Sequence, residues 1–217
     1  MDCHRDQTIL EEVFNSLTCG IGLCLSVAAA VVMIVLASLG GDIWRIVSVS
    51  IYGVSLMVLF LFSVLHHGIS SSKTKRVLEI LDHCAIYVLI AGTYTPFALV
   101  TLRGPWGWSL FGIVWTLAFF GILFKVVFST RFRVFSLAVY LLMGWLIIFA
   151  LEPLRQHLDS AGIVWLAAGG VIYSAGVIFY AWRKLPFHHT LWHLFVLAGC
   201  ACHFFSVLLY VIPIKQI

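Results

Sequence analysis

The chain has 217 residues, 62% of them hydrophobic and only 10% charged, with a mean hydropathy of +1.07. A soluble domain carries about 25% charged residues, so this chain cannot surround one core with a charged shell, which excludes a soluble enzyme, a nucleic-acid binder and a disordered chain. A polytopic membrane protein remains: at about 20 apolar residues per crossing, seven crossings leave room for short loops but not for a second domain.

Residues 1–16 form an N-terminal segment that opens MDCHRDQTILEEVF. It carries Asp2, Asp6, Glu11 and Glu12 where a signal peptide would be basic, so no cleaved signal is expected. The seven-helix transmembrane domain then covers residues 17–212. Its first span is 17–39, ending at Gly40-Gly41-Asp42, and the second is 46–66, followed by the polar stretch Gly68–Lys75. The third is 82–102, with Pro96 expected to kink it and Tyr94 and Thr95 placed to fill the local backbone gap. Arg103-Gly104-Pro105 turns the chain into the fourth, 108–128, and Ser129–Arg133 leads to the fifth, 134–151, closed by Glu152-Pro153. The sixth is 163–182, where Gly170 and Ser174 make a small-xxx-small pair suited to helix packing or, less readily, to a dimer face. Arg183–Pro186 is the last turn before the seventh, 190–212.

The fold class is therefore all-α, a seven-transmembrane helix bundle. Arg5, Lys73, Lys75, Arg76, Lys125, Arg131, Arg133, Arg183 and Lys184 fall on the N-terminal side, and Arg45, Arg103, Arg155 and Lys215 on the other. Nine against four places the N-terminus in the cytoplasm and the C-terminus outside, as a multi-pass protein of the inner (plasma) membrane. The six cysteines, Cys3, Cys19, Cys24, Cys84, Cys200 and Cys202, include no CxxC pair and read as small apolar residues, not a disulfide framework. Trp106, Trp108, Trp165 and Trp182 fit an interfacial belt.

Ionisable groups inside a bilayer are costly, so each needs a reason. His66 and His67 close the second span, Asp82 and His83 open the third, and His189 and His193 open the seventh, with His188 just before. All three ends lie on one side of the membrane. His189 and His193 are i and i+4 on a helix, about 6 Å apart along its axis, and two imidazoles so placed can share one tetrahedral metal. A third imidazole from the second span would complete a three-histidine site with a fourth position for water. A metal there lowers the water's pKa to near 7, and Asp82 is placed to orient that water or take its proton. The plainer reading is a buried polar network that ties helices together.

The residues resemble the hemolysin III family. Ser63-Val-Leu-His-His67 is similar to the SxxxH pattern that closes that family's second helix. Leu81-Asp-His-Cys-Ala-Ile-Tyr-Val-Leu-Ile-Ala-Gly-Thr-Tyr-Thr-Pro96 resembles its most distinctive stretch, and His189-xxx-His193 followed by His203 its last helix. The family belongs to the progestin and adipoQ receptor superfamily and is remotely similar to alkaline ceramidases. The resemblance implies Zn2+ held by His67, His189 and His193, with Asp82 reached through water and Ser63 as a neighbouring or substrate-polarising hydroxyl. It selects His67 over His66, which occupies a position usually aromatic in the family. Where relatives often carry a histidine in the stretch matching Asn15–Gly20, this chain has Cys19, which argues against a required role there.

Plainer roles fall to the remaining polar residues. His83 is read as a structural hydrogen-bond donor, His188 as pointing away from His189, and His203, about 15 Å deeper than His193, as a buried interhelical bond. Glu12 and Asn15 are read as docking the N-terminal segment under the bundle, and His157 and Asp159 as solvated. Two functional classes follow: a zinc-dependent hydrolase of lipid amide or ester bonds, with membrane lipids as substrate or ligand, or a pore-forming, haemolytic or receptor-like protein in which zinc is only structural. No charged stripe runs along any span, which disfavours a wide aqueous pore.

Overall fold

The computed structural model describes residues 7–129 and 131–213. Eight α-helices make seven crossings: α1 (Ile9–Leu39), α2 (Ile43–Gly68), α3 (Ser72–Pro96), α4 (Pro105–Phe128), α5 (Arg133–Trp145), α6 (Leu151–His157), α7 (Ser160–Ala181) and α8 (His188–Tyr210). A π turn at Phe97–Thr101 extends α3, and a 3-10 turn at Leu146–Ala150 joins α5 to α6 in one crossing. No strand occurs among the described residues. Among the described residues, seven helical segments are long and apolar enough to span a membrane, the third with its π turn and the fifth made of α5, the 3-10 turn and α6 together. Cys3, Arg5, Lys215 and the acidic Asp2 and Asp6 lie outside the described residues. Cys19, Cys24, Cys84, Cys200 and Cys202 are free thiols.

The helices start where the local chemistry caps them. Thr8 and Glu11 form a capping box at α1, with each side chain bonded to the other's backbone N–H. Asp42 accepts from Trp44 N at the start of α2, and Asp159 from Ala161 N at α7. Gly41 at φ 70° and Gly104 at φ 135° occupy backbone that other residues rarely adopt, and Pro105 opens α4.

Several helices run past the expected spans because hydropathy measures the apolar stretch, whereas a helix continues into polar residues that favour it. α1 begins at Ile9, taking in residues expected in a separate N-terminal segment. α3 begins at Ser72, so Lys73 and Lys75 are helical instead of belonging to a loop, and Asp82 sits inside the helix instead of opening it. Glu152 and Pro153 lie within α6 instead of ending the fifth crossing. Lys125, counted above as a loop cation, is fully buried in the last turn of α4.

Packing runs α1–α2–α3–α4–α5–α7–α8, and α8 returns to α1, closing the ring. Large apolar side chains of α1, α4 and α7 face outward, as lipid requires. α3 is the most buried crossing and the least apolar. The expectation that Tyr94 fills the gap at Pro96 is corrected. Its hydroxyl reaches the fifth crossing, donating toward Met143 O and Gly144 O and accepting from Ile147 N at 2.9 Å. It thus ties α3 to the point where α5 gives way to the 3-10 turn. Thr95 instead donates to Ala91 O and accepts from Trp115 Nε1. Gly170 and Ser174 pack internally: Trp145 lies across them and donates to Ser174 Oγ at 3.1 Å.

Candidate metal centre

His67 is in the last turn of α2, and His189 and His193 are in the first turns of α8. Each offers a ring nitrogen, and the three lie within 4.8 Å of one another. His67 Nε2 and His193 Nε2 are 3.2 Å apart. The ring centroids are 5.0 Å apart for His67–His189, 5.1 Å for His67–His193 and 4.5 Å for His189–His193. His67 and His193 are buried and His189 is half-buried.

This donor set fits a zinc ion. Zn–N bonds of about 2.0–2.1 Å at tetrahedral angles place two ligand nitrogens about 3.3 Å apart. A hydrogen bond between two imidazoles would also account for the 3.2 Å contact, but not for the third ring beside them. Asp82 is not part of the three-residue set.

The second ring nitrogen of His67 identifies its tautomer. His67 Nδ1 is 2.6 Å from Glu12 Oε2. A carboxylate only accepts, so Nδ1 carries the proton and Nε2 turns its lone pair toward His193. Glu12 Oε1 in turn accepts from Lys75 Nζ. The reading of Glu12 as a docking residue captured only part of this. The sequence signal was present, an acidic residue at the same helix ends as the histidines, but nothing in the spacing links residues 55 positions apart.

His66 stands apart. Its Nδ1 contacts Lys75 O at 3.2 Å, and it is absent from the three-nitrogen group. His83 Nδ1 donates to Glu79 O at 2.6 Å within α3, and its Nε2 lies 3.4 Å from the Tyr180 hydroxyl on α7. His203 Nε2 donates to Leu166 O at 3.2 Å across α7 and α8, with its ring against Gly169. The ring of His188 is centred 6.0 Å from that of His189. His157 contacts its own helix through Pro153 O and is exposed, as is Asp159.

Ser63 and Asp82 lie next to each other beside the histidines, and the Ser63 hydroxyl interacts with the Asp82 carboxylate. Cys19 Sγ donates to Ser63 Oγ at 3.2 Å. The thiol thus backs the serine. Ser63, Asp82 and His193 line one cavity of about 250 Å3 between α2, α3, α5, α7 and α8. From Asp82 to Phe97, both on its wall, α3 rises about 22 Å. Most of the lining is apolar, with Tyr94, Tyr173 and His203 as polar points away from the histidines.

A bundle of seven membrane-crossing helices with a three-histidine cluster at one end defines an integral membrane protein with a candidate metal centre. The chain belongs to the hemolysin III family: it matches the Haemolysin-III related family over residues 7–204. It is 52% identical over 207 residues to "Hemolysin-3" of Bacillus cereus, covering 95% of this chain and 94% of the relative. It is 53% identical over 207 residues to "Hemolysin-3 homolog" of Bacillus subtilis (strain 168), covering 95% and 97%. A more distant similarity, 30% over 191 residues, is to the human "Monocyte to macrophage differentiation factor", covering 84% and 78%. The protein is a multi-pass protein of the cell membrane.

Proposed function

We propose that this protein is a zinc-dependent hydrolase of lipid amide or ester bonds, working at the cytoplasmic end of the bundle. The observation that carries the proposal is the meeting of a three-nitrogen donor set with an apolar cavity that has a carboxylate and a hydroxyl at its metal-proximal end. When bound, zinc supplies Lewis acidity and lowers the pKa of water to near 7.

His67, His189 and His193 would hold the ion. Asp82 orients the attacking water and accepts its proton, then returns that proton to the leaving group. Ser63 gives its single hydroxyl proton to the Asp82 carboxylate and holds it in place. The apolar walls take the hydrocarbon chain of a lipid arriving sideways from the bilayer. The excess of basic residues on the side bearing the site orients it toward the cytoplasm, with the C-terminus outside.

The second reading is a structural clamp in a pore-forming or receptor-like protein. It draws on the way one ion at this cluster would bind α2 to α8. Purified protein assayed against lipid amides and esters separates the two. Turnover by the wild type, abolished in Asp82→Ala with zinc retained, supports the hydrolase. Turnover undiminished in Asp82→Ala overturns the mechanism, and a zinc-loaded wild type with no turnover favours the clamp.

A further inference from the structure

The first turns of α1 touch every segment that carries the candidate metal centre. Glu12 contacts His67 at the end of α2 and Lys75 at the start of α3. Glu11 Oε1 accepts from Phe187 N at 3.0 Å, immediately before α8. Thr190 Oγ1 donates to Asn15 Oδ1, between the two α8 histidines. Phe187 is held at φ 56°, a left-handed conformation that is costly for a non-glycine residue. The ring of Phe14 packs edge-on against it, centroids 5.5 Å apart.

We propose that Glu12 is a positioning residue for the metal centre and that the N-terminal turns of α1 form a bracket presetting the α2 and α8 imidazoles. The proposal rests on the zinc reading above. Glu12 acts through His67. By accepting from Nδ1–H it selects the tautomer, fixes the ring plane and raises the basicity of Nε2. Lys75 neutralises the other carboxylate oxygen and keeps it beside α3. The Glu12 side chain is 21% exposed, whereas that of His67 is only 1% exposed, so the carboxylate reaches in from the rim to a ring that is itself enclosed.

The test measures zinc affinity by competition with a chelator, in detergent, without any activity readout, and records the cobalt(II) absorption spectrum of each protein. Glu12→Leu lowers zinc affinity about 10–100-fold, the range for loss of such a partner, and alters the cobalt band. Glu12→Gln, which keeps an acceptor without the charge, falls between Leu and wild type. Lys75→Met, which breaks the tie to α3 but leaves the carboxylate on His67, binds zinc within a few-fold of wild type. Wild-type affinity in Glu12→Leu overturns the proposal. So does an equal loss in all three variants, since the contact would then act only as a tie between helices. A wild-type protein that takes up no metal overturns the zinc reading instead, and the two failures are thereby distinguished.

Discussion

His67 and His66 are adjacent in sequence, yet only His67 faces His193, with Nε2 atoms 3.2 Å apart, while His66 turns to the Lys75 carbonyl. Consecutive residues on a helix point about 100° apart, so one neighbour enters the site and the other meets the α2–α3 connection. His66→Phe therefore retains zinc at wild-type stoichiometry, and His67→Phe loses it. Metal content of the two purified variants checks this, and loss in His66→Phe would contradict the assignment.

Tyr94 joins the third crossing to the irregular part of the fifth. Its hydroxyl is the partner of Ile147 N and lies within reach of two carbonyls. Removing it takes away the partner of Ile147 N and one of the two donors to Met143 O, which also accepts from Leu146 N, at a cost of about 0.5–1.5 kcal/mol. Tyr94→Phe is expected to lower the thermal unfolding midpoint in detergent while leaving zinc content unchanged. An unchanged midpoint would show that the 3-10 turn does not depend on this hydroxyl.

Gly169 makes room for the ring of His203, which would collide with a Cβ at that position. Gly169→Ala overpacks the α7–α8 contact and costs about 1–3 kcal/mol. In a His203→Ala background the two closest contacts of the added methyl are gone and only Gly199 O, 3.2 Å away, still crowds it, so the double variant is less destabilised than the sum of the singles. Strict additivity would refute the steric explanation.

Lys125 is fully buried, and its Nζ has no hydrogen-bond partner among the described residues. Replacing such a group with an apolar side chain of similar length removes a desolvation cost. Lys125→Met is expected to leave the unfolding midpoint unchanged or raised. A marked loss of stability would show that the ammonium group has a stabilising partner.

The crossings were legible in the sequence because lipid imposes a simple rule: apolar runs of about 20 residues must be helices. Their ends were less legible. Ser72–Leu81 is helical but polar, so the hydropathy signal stops before the helix does. Part of the three-histidine cluster could be anticipated from His189 and His193, whose i, i+4 spacing is local. The choice of His67 needed either a family resemblance or the observed rotation of α2. The Glu12–His67 contact and the Cys19–Ser63 contact were hidden, because each depends on how α1 lies across α2 and no periodicity reports that. The Tyr94 bond to the fifth crossing was hidden for the same reason, as the irregular Leu146–Ala150 turn has no distinctive residues of its own.

The central claim is that imidazoles from α2 and α8 hold one metal ion. Elemental analysis of protein purified without added metal or chelator tests it directly, with His193→Ala prepared in parallel. The account predicts about one zinc per chain in the wild type and a near-complete loss in the variant, both proteins remaining folded. A wild type without stoichiometric transition metal, or a His193→Ala protein that keeps its zinc, would contradict it.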